Sequence, residues 1–428
     1  MAIGRTPHRT TWLLLFAALL AFAPASPARA ELSDLFGPKA VAVTGDLRIV
    51  AADGEKSWTD AGFGKARFGG GDDLDWRLRP VATEAELIWQ PRFSWTLSGT
   101  VVVAAQHEQQ HPVDLIEAFI SFKPLPDGGT HISGRAGLMW PQVSLEHEGA
   151  NWQVADMITP SAINSWIGEE VKVVGVEATV AQDIGAAQLS GTLGVFGFND
   201  TAGALLAFRG WAMHDLKATA FGKQQLSALD EEMWEYDQAP KTKPLIEIDD
   251  RPGFYGRLAL RMAAPVTLSV NYYQNRGVPE AVTHALQWGW NTRFWNFGAR
   301  IDIDEDTKIL AQALTGTTEM GFENDEGVYW VETRFRSAYA RLSHRLGAVT
   351  LSGRADRFGT RERGTWMQPG DSENGWAATF DADWKLSKHV NLLGEVLHID
   401  SDRGTRVRTG VDPHQSQTVV QFAIRLGF

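Results

Sequence analysis

The chain has 428 residues, with 40 Lys and Arg against 52 Asp and Glu and no cysteine. The acidic balance argues against a nucleic-acid partner, and the missing thiols exclude disulfides, thiolate metal sites and cysteine nucleophiles together. No Pro/Ser linker, low-complexity tract or composition break divides the chain. After the first 30 residues no segment supplies the roughly 20 apolar residues of a membrane helix, so any bilayer crossing is made by strands.

Arg5, His8 and Arg9 precede an apolar run from Trp12 to Ala23, then Pro24 and Pro27, then Ala28-Arg29-Ala30. This charged, apolar, small-residue order is that of a secretory signal peptide over residues 1–30, with cleavage expected before Glu31. The apolar run is too short to span a bilayer. Removing the leader takes three basic residues and no acid, leaving 37 basic against 52 acidic residues and a net charge of −15.

Alternating apolar and polar residues between turn formers predict strands over 41–50, 81–90, 93–106, 113–123, 130–138, 170–182, 186–198, 253–263, 265–276, 288–303, 307–319, 328–345, 348–358, 375–386, 388–402 and 415–428. That is an even count of sixteen, with residues 203–213 a candidate for one more. Short links such as Gln90-Pro91-Arg92, Asp183-Ile184-Gly185, Ala264-Pro265 and Leu346-Gly347 alternate with mostly longer ones. Tight turns at one end and long loops at the other are the pattern of a membrane-spanning antiparallel β-barrel, here residues 31–428, with both termini on the short-turn side.

Aromatic residues mark both ends. Trp89, Phe93, Trp95, Phe122, Trp384 and Phe428 fall near the short turns, and Trp211, Trp288, Trp290, Trp330 and Trp376 near the long loops, which predicts two girdles. In the last strand Thr418, Val420, Phe422, Ile424, Leu426 and Phe428 share one face, suited to lipid, while Val419, Gln421, Ala423, Arg425 and Gly427 share the other.

The leader, the sixteen-strand parity, the long third outer connection and the terminal Phe428 together resemble a Gram-negative outer-membrane porin over essentially the whole mature chain. A narrower likeness runs from Glu117-Ala118-Phe119-Ile120-Ser121-Phe122-Lys123 through Arg135-Ala136-Gly137 to Pro141 and Glu146, which is similar in layout to the phosphate-selective porin superfamily. The lysine cluster known in the phosphate-specific members is not matched on the inward faces. The resemblance implies an outer-membrane location, assembly machinery that reads Phe428, contact with outer-membrane lipid and lipopolysaccharide, a homotrimer and no cofactor. It also implies that the third outer connection, residues 139–169, folds inward as the constriction.

Inward faces read by alternation carry Glu84, Glu86, Glu117 and Glu177 on the early strands. Later strands add Arg257, Arg261, Arg300, Glu332, Arg334, Arg336, Arg354, Asp356, Asp381 and Asp383. An Arg facing lipid at the midplane costs about 2–4 kcal/mol, so these side chains are expected in water. The constriction segment contributes Glu146, Glu148 and Asp156 beside Trp152 and Trp166, and the still longer segment 199–252 carries Asp230-Glu231-Glu232. Two readings follow: a transverse field between a basic wall and an acidic loop, or arginines packed against acids such as Glu332 and Asp356.

His107-Glu108-Gln109-Gln110-His111 matches the HExxH pattern, but that zinc chemistry needs a helix and a third ligand, and here the motif leaves a strand and runs into Pro112. No catalytic or metal site is assigned. The function expected is a passive water-filled channel for small hydrophilic solutes, anions among them. The alternatives are a barrel hydrolase using His107, His111 or His147 with an acid at the rim, and an adhesive barrel whose residues 199–252 hold a partner.

Overall fold

The computed structural model describes residues 31–71, 73–147, 149–227, 237–263 and 265–428. The expected signal peptide, Glu148 and Asp230-Glu231-Glu232 lie outside the described residues. Sixteen strands form one closed barrel. They are β1 (Val41–Ala52), β2 (Arg77–Trp89), β3 (Leu97–Gln106), β4 (Asp114–Phe122), β5 (Thr130–Met139), β6 (Val173–Ile184), β7 (Ala187–Gly197) and β8 (Gly253–Arg261), followed by β9 (Val266–Gln274), β10 (Arg293–Asp302), β11 (Thr307–Glu323), β12 (Tyr329–Leu346), β13 (Val349–Glu362), β14 (Glu373–Lys385), β15 (Val390–Arg403) and β16 (His414–Gly427). Each pairs antiparallel with its sequence neighbours, and β1 closes on β16 from Thr44↔Gly427 to Ala52↔Val419. Phe428 extends that seam, exchanging backbone hydrogen bonds with Val43 at 2.9 and 3.0 Å.

The links alternate as parity demands. At one end the strands join by two- to seven-residue turns, such as residues 185–186 and 90–96, and at the other by connections as long as 140–172 and 198–252. Helix α1 (Leu32–Phe36) precedes β1 at the short-turn end, where Phe36 stacks on Trp89 with centroids 5.7 Å apart. Helix α2 (Ala162–Glu170) lies in the third outer connection and α3 (Ala204–Phe208) in the fourth. Residues 203–213 therefore add no strand: Ala204-Leu205-Leu206-Ala207-Phe208 is apolar on every side and forms a buried helical turn. Such a run fits helix or strand by composition alone.

The polarity of the wall is inverted relative to a water-soluble barrel. Leu47, Ile49, Leu193, Leu258, Phe297, Leu342, Phe380, Phe422 and Ile424 are exposed on the outer face, while Asp46, Arg48, Glu86, Glu177, Arg341, Arg354 and Glu395 are buried on the inner one. Only a bilayer makes that arrangement favourable. Of the expected outer girdle, Trp376 stands on the lipid side, but Trp288 and Trp290 are buried among Leu205, Phe208 and Met320, and Trp211 is buried against Trp166 and Phe335. Outward Trp295, Phe297 and Phe254 complete the girdle instead. Strand β10 begins at Arg293, so Trp288 and Trp290 belong to a loop that turns inward.

Inward aromatic rings lie over cross-strand glycines: Tyr255 over Gly194, Phe196 over Gly253, Phe335 over Gly316 and Phe358 over Gly375. The missing Cβ lets each ring lie flat on its neighbour and makes up the packing that a glycine forfeits in a strand. At Gly194 an added Cβ would meet the Tyr255 ring at 2.2 Å. Gly194→Ala is expected to lower the unfolding temperature in detergent through overpacking of about 1–3 kcal/mol. Gly45→Ala, with nothing within 4 Å of the new atom, is expected to leave it unchanged. Equal unfolding temperatures for the two variants would contradict this account.

Candidate functional site

Two outer connections run through the lumen. The third, residues 140–172, starts from β5 and touches the far wall. Arg425 on β16 donates to the Val154 carbonyl at 3.0 Å, and the amides of Ile158 and Thr159 donate to Glu395 on β15 at 3.0 and 2.9 Å. Asp156 pairs with Lys308 on β11 at 2.5 Å and with Arg341 on β12 at 3.0 Å. Ser161 caps α2 by accepting from the Asn164 amide at 3.3 Å, which turns the chain back toward β6. Trp166 on α2 then packs edge-on against Phe294 and at a tilt against Phe335.

Glu146 is the knot of this segment. Its carboxylate accepts from the Ser161 amide and hydroxyl and from Asn164, at 2.6–2.9 Å, and lies 3.6 Å from Arg354 on β13. Those partners outweigh its burial and lower its pKa below the ordinary carboxylate value. Arg354 in turn bonds Asp356 at 2.7 Å and the Thr159 carbonyl at 2.6 Å.

The fourth connection crosses nearer the outer mouth. Beside β10, Thr292 donates to the Ala202 carbonyl. At β14, Glu373 accepts from the Trp211 amide at 2.8 Å. Asp215 then bridges Arg48 of β1 and Arg67 of the first connection, and Lys217 bridges Glu84 and Glu86 of β2 at 2.8 and 2.6 Å. Burial alone would raise the Asp215 pKa and lower that of Lys217; the ion partners reverse both. The two connections meet where Glu169 of α2 pairs with Arg209 at 2.7 Å and His214 at 2.9 Å, which carries the Glu169 carboxyl down to about 2 against the effect of its burial.

Between the third connection and the wall of β4, β5 and β8 lies a polar cavity of about 230 Å³, lined by Glu117, Arg135, Trp140, Pro141, Gln142, Ser144, His147, Gly149, Trp152 and Arg257. Glu177 organises its wall, accepting from Arg135 at 2.7 Å, Gln142 at 2.6 Å and Tyr255 at 2.7 Å. Trp140, Trp152 and His147 stack at 4.7 and 4.1 Å. Among the described residues Arg257 has no ion pair or hydrogen bond, so its charge is presented to the cavity without a contact partner.

The expected site residues thus divide. Glu117 and Arg257 share the cavity; Glu84 and Glu86 hold Lys217; Glu146 and Arg354 meet, and Asp156 is held by Lys308 and Arg341. Arg261 and Arg300 lie on the inward parity near the short-turn rim, Arg300 paired with Asp302 at 3.0 Å. Arg334 and Arg336 are not in the lumen. Thr333, Phe335, Ser337 and Tyr339 are the buried face of β12, and both arginines, with Glu332, belong to the outward face. The premise that a charge must face the lumen holds only at the bilayer's hydrocarbon depth; these groups sit farther out. The same one-residue slip conceals Arg341, which is inward and buried. Lys217 and Asp215 carried no periodic signal, because an inserted loop places them, whereas Arg135 stands on β5 across from Glu177 in unbroken register.

Ser144 and His147 bond one another within a turn, and the HExxH motif lies in a loop. Ser144 Oγ accepts from the amides of Glu146 and His147 at 3.0 and 3.3 Å and donates to His147 Nδ1 at 2.7 Å, which closes a turn. Burial pushes His147 down to about 3, leaving a poor base, and among the described residues no carboxylate orients its ring. His107 and His111 lie in the loop after β3, and Glu108 between them is held by Arg67 at 2.5 Å.

Asp200, Glu247 and Asp249 bring ligand-type oxygens within 4.8 Å of one another at the root of the fourth connection. Each also accepts a backbone amide, from Ile248, Phe198 and Val278. Burial, then the charges of Glu247 and Asp249, push Asp200 up to about 8. An acid with a raised folded-state pKa contributes stability that is full below about 4 and lost as pH rises through about 8. Cleavage within residues 243–252 by a protease active at both pH values is therefore expected to be faster at pH 9 than at pH 5, and Asp200→Asn to flatten the difference. Faster cleavage at pH 5 would contradict the sign.

No protein-family profile and no curated protein matches the sequence. Solved structures do match. The outer-membrane channel DcaP of Acinetobacter baumannii aligns with 94% of this chain and 99% of its own at 11% identity and a TM-score of 0.55. OmpT of Vibrio cholerae covers 92% of this chain at 7% identity and 0.47, and a mutant of the Rh. blastica porin 91% at 8% and 0.40. Fold alone is shared at such identities: the chain has the fold of a sixteen-stranded Gram-negative outer-membrane porin.

Proposed function

We propose that the protein is a passive outer-membrane channel for small hydrophilic solutes, anions among them, exported by a leader cleaved before Glu31. The observation that carries this reading is the polar cavity beside the inserted third connection, where among the described residues Arg257 has no contact partner. A solute crossing such a barrel meets little bulk water, and an unpaired charge in a narrow, poorly screened space counts for more than one at the surface. Selectivity then rests on Arg257 and its surroundings. The acids Glu146 and Asp156 act as latches for the loop, because each is in contact with basic wall residues. This replaces a transverse field drawn between an acidic loop and a basic wall.

Planar-bilayer recordings test both parts. The wild-type protein is expected to conduct. Arg257→Ala is expected to shift the reversal potential across a salt gradient toward cations, and Arg334→Ala with Arg336→Ala to leave it unchanged. No conductance would overturn the channel reading. An unshifted potential in Arg257→Ala would overturn the role of that residue.

A further inference from the structure

We propose that the cavity beside the third connection binds a small α-amino acid in its zwitterionic form, the carboxylate on Arg257 and the ammonium on Glu117. The proposal rests on the channel reading for the passage of the solute, and it names the class of solute. Glu117 of β4 and Arg257 of β8 line the same cavity of about 230 Å³, yet among the described residues neither has an ion pair. Glu117 is 5% exposed, and its carboxylate accepts from the Trp140 backbone amide. The cations whose charge reaches Glu117 are committed elsewhere. Lys172 donates to the Ile116 and Ala218 carbonyls, Arg135 to Glu177 and the Trp140 carbonyl, and Lys217 to Glu84 and Glu86. Glu177, the acid whose charge reaches Arg257, already accepts from Arg135, Gln142 and Tyr255. Two opposite charges held apart in one poorly screened space favour a ligand that brings a counter-charge to each.

That arrangement sorts solutes by charge. A plain anion gains Arg257 but meets Glu117 in the same space, and a plain cation gains Glu117 but meets Arg257. A ligand carrying both charges completes both contacts, each a charge-assisted hydrogen bond. The aromatic groups narrow the class further. Trp140 is covered on one face by Lys172, 3.7 Å from its centroid, and on the other by Trp152 at 4.7 Å, while the second face of Trp152 is taken by His147 at 4.1 Å. Neither indole face is left open for a quaternary ammonium or for the apolar face of a sugar. An ammonium that donates hydrogen bonds therefore suits the site better than a betaine. The volume lies below the roughly 300 Å³ at which drug-sized sites begin, which calls for a short side chain.

The test uses the full mature chain in detergent micelles and titrates it with L-alanine, propionate and ethylammonium, binding being read by saturation-transfer NMR. The wild-type barrel is expected to bind L-alanine about tenfold more tightly than either analogue, since each analogue forfeits one charge-assisted contact. Arg257→Gln is expected to weaken L-alanine and propionate alike. Glu117→Gln is expected to weaken L-alanine about tenfold and propionate not at all, so that the preference between them disappears. Arg345→Gln, at the short-turn rim, is expected to bind as wild type. Propionate held as tightly as L-alanine by the wild type would overturn the proposal and mark a site for a plain anion. So would L-alanine held equally by the wild type and a folded Glu117→Gln. The comparison of the three solutes needs no variant, so it decides the matter even where a variant fails to fold. Binding is read here without current: L-alanine bound by a protein that does not conduct would overturn the channel reading alone, and conduction without L-alanine binding would overturn this proposal alone.

Discussion

A wall of sixteen strands encloses more space than its own side chains fill, and a charge on its inner face is costly to leave unpaired at low dielectric. That constraint organises the molecule. Wall charges that face the lumen recruit counter-charges from the loops, and the loops are drawn inward as a result. Lys217 exists in the lumen because Glu84 and Glu86 are there, Asp215 because of Arg48 and Arg67, Asp156 because of Lys308 and Arg341. Replacing such a pair by apolar groups can be neutral, but removing one partner costs about 3–5 kcal/mol, far more than a surface pair at about 0–1. The ion pairs therefore specify where the loops sit more than they add stability.

The two faces of the wall obey different rules along one strand. In the hydrocarbon layer the outward side chains are apolar or small, and any Arg must turn inward. Above the girdle marked by Trp376 the outward face meets headgroups and water, so Arg334 and Arg336 can point outward at no such cost. Inside, the same change of depth separates the rim charges Arg261 and Arg300 from the enclosed Arg354 and Glu146.

Strand number, closure and the gathering of short turns and both termini at one end were legible because they rest on period-two patterning and on the alternation of short and long links, which are local signals. The terminal strand ending in Phe428 was legible for the same reason. The lumen was legible only in part. Glu84, Glu86, Glu117, Arg257 and Arg354 follow simple alternation, whereas Thr83 and Ile116 mark bulges that shift it, between Asp46 and Leu47 on β1 and between Val102 and Val103 on β3. Arg334 and Arg341 were exchanged by one residue of parity. Lys217, Asp215 and Arg209 lie on a segment with no regular period, brought into place by partners far away in sequence; no window of local sequence holds both halves of those pairs.

The claim on which the rest depends is that the fourth connection lies inside the barrel, tied to β2 through Lys217 and Glu86. The protein has no cysteine, so Lys217→Cys with Glu86→Cys introduces the only two thiols. A short bifunctional thiol reagent applied to the folded protein should join these two positions, shown by altered mobility of the denatured chain, and a bulky maleimide that cannot enter the lumen should label neither. Labelling of the residue-217 thiol by the bulky reagent, with no cross-link formed, would place the connection outside the barrel and contradict the account.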